Sequence, residues 1–274
     1  MIPARARLRL PLAVAATVGA VVALAGCGSG GSGSASAGGS SSSPATPSAA
    51  ATATDAAGLQ TVLRSGATSL KTAHLDMTVD AAGQSLTASG DEKLSGGKLK
   101  AMDLSEQIGT AGTIRIVIVD GKTYAQLPQS AGTTAKPWVL VTTDSTNPVV
   151  ASMASTLQSV QQSASVDQYS AFAQAAVGVV PQGAEKVGEA STTHYSLTVD
   201  VSKMPDTVTG RQALISAGIT TLPIELWVDG KGRPVKMTEQ LSVQGQSVST
   251  VVTLSRFDEP VTVTAPPADQ VSTD

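Results

Sequence analysis

Apolar and polar residues alternate one by one in segment after segment of this chain, and that period of two most restricts its fold. Leu75, Met77 and Val79 alternate with His74, Asp76, Thr78 and Asp80, and Leu86 and Ala88 resume after the Ala82-Gly83-Gln84 turn. Ile114, Ile116 and Ile118 share one face before Asp120-Gly121, which turns the chain into Thr123–Leu127. Tyr195, Leu197, Val199 and Val201 repeat the pattern. Ile224, Leu226 and Val228 lead through Asp229-Gly230-Lys231-Gly232 to Val235 and Met237. Val251 to Leu254 predicts a late strand, with Val261 and Val263 continuing it until Pro266-Pro267 ends the domain. Strands joined by short Gly- and Asp-rich turns predict an antiparallel sheet with one face committed to an apolar interior.

Helical spacing interrupts the alternation. Leu59, Val62, Leu63, Ala67 and Leu70 recur every three or four residues, with Thr54 or Asp55 as N-cap. Asn147-Pro148 reads as a cap and first-turn proline, followed by Val149, Met153, Leu157 and Val160. Asp167–Val177 and Asp206–Ala217 predict two further short helices. The order helix, strands, helices, strands predicts an α+β fold: a large curved antiparallel sheet with helices packed on its concave face. A closed barrel would leave those helices nowhere to bury their apolar stripes.

The first residues carry Arg5, Arg7 and Arg9, then an uncharged stretch from Leu10 to Ala25, then Gly26 and the single cysteine, Cys27. A basic segment, an apolar run and small residues make an export signal. The run is shorter than the roughly 20 apolar residues that span a bilayer. Leu24-Ala25-Gly26-Cys27 resembles the bacterial lipobox, in which the thiol takes a diacylglycerol and becomes the first mature residue. Residues 28–54 hold no charge and little but Gly, Ser, Ala, Thr and Pro, so they read as a flexible tether reaching on the order of 30 Å. No strand precedes these glycines and no Gly-Lys-Ser/Thr follows them, so they are not a phosphate-binding loop. The expected organisation is a signal at 1–26, an acylated Cys27 with tether at 27–54, and one domain at 55–274.

Cleavage at Cys27 would remove three arginines and no acid, taking the formal charge from −3 to near −6. That balance argues against nucleic acid as a partner, which requires a basic face, and against a polybasic hold on anionic lipid. An acylated Cys27 leaves no thiol for a disulfide, a zinc site or a nucleophile.

Particular segments add a family likeness. Val187-Gly188-Glu189-Ala190 with His194–Asp200, Asp120–Tyr124, Lys136-Pro137-Trp138, Leu222–Asp229 with Gly232–Val235, and Phe257–Pro267 occur in that style and order in one family. Together they resemble the LppX/LprG family of actinobacterial envelope lipoproteins, over roughly residues 59–271. The resemblance implies a half-open β-barrel with helices inside its curve and a hydrophobic cavity between them for the acyl chains of a lipid or glycolipid. It does not carry over the identity of the ligand.

The residues offer no catalytic set. His74 and His194 fall on the polar phase of their strands and are expected to face solvent. Asp91-Glu92 and Asp258-Glu259 read as exposed turn carboxylates. No Gly-x-Ser-x-Gly elbow marks a nucleophile, and no cluster of His and acids suggests a metal. The chain is therefore expected to be a non-enzyme without cofactor. The candidate ligand-binding lining is apolar: Ile114, Ile116, Ile118, Leu197, Val199, Leu226 and Val228 from strands, with Val149, Met153, Leu157 and Val160 from a helix. The expected partners are a lipid or glycolipid, the plasma membrane through the anchor at Cys27, and an envelope lipid exporter. The expected location is the outer face of that membrane. The competing reading is a tethered structural or interaction module whose interior is a filled core.

Overall fold

The computed structural model describes residues 52–81, 83–95, 98–108, 112–127, 136–142, 144–145, 150, 154, 168–206, 208, 210–243 and 246–272. Helix α1 (Ala56–Ser69) starts where its cap dictates: the Asp55 carboxylate accepts the Gly58 N–H at 2.7 Å. Its buried stripe is Leu59, Leu63, Gly66 and Ala67. Five strands then run in succession: β1 (Thr72–Ala81), β2 (Gln84–Ser95), β3 (Lys98–Ile108), β4 (Gly112–Val119) and β5 (Lys122–Gln126). Strand β6 (Trp138–Leu140), helix α2 (Gln168–Ala175), β7 (Ala176–Val187) and β8 (Ala190–Asp200) follow. Helix α3 (Arg211–Ser216) leads to β9 (Thr221–Asp229), β10 (Pro234–Val243), β11 (Gln246–Ser255) and β12 (Val271–Ser272).

Among the described residues these strands form one twelve-stranded sheet in the order β12-β6-β5-β4-β3-β2-β1-β11-β10-β9-β8-β7. Every pairing is antiparallel except β12 with β6. The β1–β11 ladder joins the two runs of hairpins into one surface.

The period of two puts one continuous set of side chains on one face. A single rung runs Tyr195, Leu226, Met237, Val252, Met77, Ala88, Glu106 and Ile114 across eight strands. On the β8–β11 and β1 part of this face, Leu75, Leu197, Val199, Leu222, Ile224 and Leu254 join Leu59, Leu63 and Ala67 of α1 and Phe172 of α2 in one buried cluster. Met102, Ile116 and Ile118 form a second cluster on the β3–β4 part.

Two close approaches show how the layers meet. An added Cβ at Gly66 of α1 would lie 2.2 Å from the Gly232 carbonyl, and one at Gly232 would lie 2.3 Å from the Val62 carbonyl oxygen. The helix backbone therefore rests directly on the β9–β10 turn. That turn is fixed by Asp229, whose Oδ1 accepts the Lys231 and Arg233 N–H groups, each at 2.9 Å. In β2, an added Cβ at Gly90 would lie 2.1 Å from the Asp103 carbonyl oxygen. A glycine there lets the backbone of β3 approach closely.

The structure corrects several expectations. Strands β3 and β7 lie where the sequence reading placed none. In β3 the alternation is masked by charged residues and by a register shift at Lys93/Leu94 of its partner. In β7 it is broken by Gly178, Pro181 and Gly183, with two register shifts, as an edge strand permits. Asp167–Val177 is helical only over Gln168–Ala175, because Ala176 and Val177 already pair as β7. Of Asp206–Ala217 only Arg211–Ser216 is helical. Val261 and Val263 form no strand. They pack with Ala101, Val117, Trp138 and Val271 on the opposite face of the sheet. The domain does not end at Pro266-Pro267: a 3-10 turn at Ala268–Gln270 leads into β12, which pairs with β6. The expected helix after Asn147-Pro148 falls largely outside the described residues, of which Val150 and Ala154 are buried. Among the described residues no helix is long and apolar enough to cross a membrane.

Candidate functional site

Three places could carry function: the apolar face and two histidine clusters on the opposite face. The register brings the strand residues of the expected lining onto the apolar face, in two groups. Leu197, Val199, Leu226 and Val228 belong to the cluster filled by α1 and α2. Ile116 and Ile118 belong to the second cluster, with Ile114 partly buried against it. Val149, Met153, Leu157 and Val160, like Cys27, lie outside the described residues.

This face has two unlike ends. The β1–β2, β3–β4 and β10–β11 connections all fall at one of them. There Leu86, Leu241 and Val248 are only partly buried, whereas Leu75 and Leu254, further along, are buried. The first half of α1 points to the same end. Gln60 reaches Gln174 of α2, which runs straight into the start of β7, beside the end of β8. The exposed large hydrophobic residues Val177, Val180 and Ile215 also gather toward this end, on β7 and on the β8–β9 connection.

Three carboxyls interrupt the apolar face. Glu92 faces Ala73 of β1 and Met102 of β3, Glu106 faces Ala88 and Ile114, and Glu239 faces Ile224 and Thr250. Glu92 is 2% exposed, and its Oε1 has no hydrogen-bond partner among the described residues. Burial pushes its pKa up to about 8 and that of Glu239 to about 7, and raises that of Glu106. Asp91-Glu92 is thus no exposed turn. Both residues lie inside β2, and the alternation sends one to each face. A carboxyl two residues after Gly90 and four after Ala88, on the same inward phase, was a legible signal in the sequence, hidden by the adjacent aspartate.

The opposite face holds both histidines, and neither is freely solvated: their side chains are 18% and 19% exposed. His74 Nδ1 lies 2.6 Å from Asp91 Oδ1, and its Nε2 lies 3.3 Å from Ser89 Oγ. That is the order of a Ser-His-Asp triad. The Ser89 hydroxyl, however, donates to Asp76 at 2.8 Å, and the strand's backbone is paired with β1 and β3 on either side. The hydroxyl proton is thus committed to a carboxylate and not to the histidine, and among the described residues the backbone on either side is taken up by strand pairing. His194 stacks on Trp227 with centroids 4.2 Å apart, and its two nitrogens meet Glu225 at 2.7 Å and Glu185 at 3.2 Å. Ser196 donates to Glu225, not to the histidine, so no nucleophile is activated there. Trp227 Nε1 donates to Glu185 at 2.8 Å, which ties β7, β8 and β9 together. Among the described residues no three His, Cys, Asp or Glu side chains are grouped to hold a metal.

No protein-family model and no curated protein matches the chain. Solved structures do. LprF from Mycobacterium bovis superposes with a TM-score of 0.51 at 16% identity, covering 78% of this chain and 99% of that one. The lipoprotein LppX from Mycobacterium tuberculosis gives 0.48 at 16% identity, covering 75% and 98%. This chain has the fold of LprF, a mycobacterial lipoprotein of the LppX/LprG family.

Proposed function

We propose that this protein is an exported lipoprotein, anchored through Cys27 to the outer face of the plasma membrane. In this reading it holds the acyl chains of a lipid or glycolipid against the apolar face of its sheet, and carries or presents that lipid without catalysis. The observation that carries the reading is the continuous rung from Tyr195 to Ile114, apolar but for Glu106, whose face is filled by helices on one part and only partly covered at one end. The half-barrel, with helices inside its curve, is the form this face takes. The docking of α1 on Gly232 supports it. Ile114, Ile116 and Ile118 would line the cavity together with Val149, Met153, Leu157 and Val160.

The energetics fit a carrier. Each methylene gains about 0.8 kcal/mol on leaving water, so long chains leave a bilayer only for a comparably apolar surface. A pocket of Ile, Leu, Met and Val side chains makes that exchange nearly balanced, and needs no reacting group. The tether at 27–54 raises the local concentration of the domain at the membrane. An envelope lipid exporter is the partner such a carrier serves.

Native mass spectrometry of the full chain purified from a lipid-rich host tests this reading. Co-purified lipid supports it; repeated recovery of the bare chain defeats it. One observation favours the second reading, a tethered structural module without ligand. Leu197, Val199, Leu226 and Val228 already pack against α1 and α2, so that part of the face is a filled core.

A further inference from the structure

The carboxyls on the apolar face are the least expected feature of the molecule. Along β2 the inward phase reads Ala88, Gly90, Glu92; along β3 it reads Met102, Leu104, Glu106; along β4 it reads Ile114, Ile116, Ile118. Between Leu86 and Leu94, which pack with the helix-covered cluster, small residues therefore line the β2 side of a strip whose other side is branched and apolar, here called the β2–β4 trough. Glu92 stands at its buried end and Glu106 at its partly covered end. The register separates them by four residues along the strand, about 13 Å.

No basic group answers these acids. No hydrogen bond or ion pair joins Glu92, Glu106 or Glu239 to another described residue, and Glu92 Oε1 is both fully enclosed and unpartnered. The groups facing Glu92 are Ala73, Leu75, Gly90, Leu94, Met102 and Leu104, none titratable. Those facing Glu106 are Ala88, Leu86, Ile114, Ile116 and Leu104, and those facing Glu239 are Ile224, Leu226, Thr250 and Val252. From Pro137 to Glu185 the sequence has no Lys, Arg or His at all, so the segment between β6 and α2 has no cation to bring. An enclosed carboxyl without a cation is held in its neutral form, which is a hydrogen-bond donor. An unmet donor there costs about 1–3 kcal/mol, which a ligand oxygen would recover.

We infer that Glu92, with Glu106 nearer the partly covered end, makes the β2–β4 trough a binding site for an uncharged, oxygen-bearing lipid, Glu92 donating its O–H to an ester or hydroxyl oxygen and the acids rejecting anionic headgroups. The inference rests on the lipid-carrier reading above and gives it a substrate class. Anionic lipid is disfavoured twice: by the acids themselves when ionised, and by the lack, among the described residues, of any cation facing them. A further consequence is a pH dependence. Burial holds Glu92 neutral up to about pH 8, so donation to the ligand is intact below that value and is lost above it, when the carboxylate can only accept.

The test uses the purified full chain and phosphatidylcholine donor vesicles carrying a pyrene-labelled diacylglycerol, the matching phosphatidic acid, or the hydrocarbon 1-dodecylpyrene. Transfer to the protein is read from pyrene emission between pH 5 and 9.5. The expected result is diacylglycerol uptake at least about five-fold above phosphatidic acid, corresponding to about 1 kcal/mol, and falling as pH rises through 8. Glu92→Gln, whose amide still donates, should keep the uptake and lose the pH dependence. Glu92→Leu and Glu106→Leu should take up 1-dodecylpyrene as the parent does and lose the preference for diacylglycerol. Equal uptake of both lipids with a flat profile, alongside normal 1-dodecylpyrene uptake, overturns the inference and leaves the carrier reading standing. Uptake of none of the three probes overturns both.

Discussion

Glu92 is a carboxylic acid in a place built for a methyl group, and its ionisation couples to folding whatever the ligand. Its pKa is about 8 in the folded protein against an ordinary carboxylate value in the unfolded chain. The folded state therefore holds the proton more tightly, and stability falls as pH rises from about 4.5 to about 8. Glu239, raised to about 7, acts in the same direction. Glu92→Gln should remove most of this slope. At pH 8.5 the variant should be more stable than the parent by on the order of 2–4 kcal/mol, and at pH 4.5 the two should unfold together. Urea denaturation at the two pH values checks it, and a parent curve that is flat or rises with pH would show that Glu92 is solvated. The residue scale is also where sequence reading fell short. Alternation placed His74 and His194 on the polar phase, which is correct. It could not show that His74 would close on Asp91 and Ser89, or His194 on Glu225, Glu185 and Trp227. Those contacts come from neighbouring strands, and register between strands is not written in either strand alone.

At the scale of elements, what was legible depended on how loudly an element repeats its period. Helix α1 and strands β1, β4, β8 and β9 have unbroken patterns and appear where their sequences place them. Strand β3 hides behind its lysines, and β7 behind Gly178, Pro181 and Gly183. Two residues of β12 carry no period at all, and only β6 as a partner makes them a strand. The contact of α1 with the β9–β10 turn tests how elements lock. Alanine is intrinsically better than glycine inside a helix by about 1 kcal/mol, so Gly66→Ala would stabilise an unencumbered helix. Here the new Cβ meets Gly232 backbone at 2.2 Å, and backbone cannot turn aside. The expected outcome is a loss of about 3 kcal/mol, measured by thermal or urea unfolding; a gain would separate the helix from the turn. The C-terminal strap makes a second case. Trp138, Val263 and Val271 cover Val117 on the face away from the site, and Lys136 Nζ holds the Val271 carbonyl at 3.0 Å. A chain stopped at Pro267 should lose about 2 kcal/mol with the β8–β11 core intact, which hydrogen exchange resolves strand by strand.

At the scale of the whole molecule, one face of one sheet serves two purposes, and the boundary between them is testable. On β8–β11 and β1 it is a core, closed by α1 and α2. That core takes in Ala88 and Leu94 of β2, while on β3–β4 Met102, Ile116 and Ile118 form a second cluster, with Leu99 and Leu104 packed against both. Ile116→Trp and Leu226→Trp are therefore not equivalent, although alternation alone gives both residues the same inward phase. Leu226 is 1% exposed among residues of α1, β8 and β10, so a larger side chain must displace packed neighbours, at a cost of about 1–3 kcal/mol. Ile116 sits in the cluster proposed to border the ligand, where an indole would occupy ligand volume. Leu226→Trp should lower the urea midpoint and leave lipid uptake per folded molecule close to the parent. Ile116→Trp should leave the midpoint nearly unchanged and reduce pyrene-diacylglycerol uptake by about ten-fold, as the loss of two buried methylenes would. Measured together, the midpoint and the uptake assign each variant to core or to cavity. If Ile116→Trp unfolds early and Leu226→Trp blocks uptake, the cavity lies under α1 and α2, and the β2–β4 trough is the filled half.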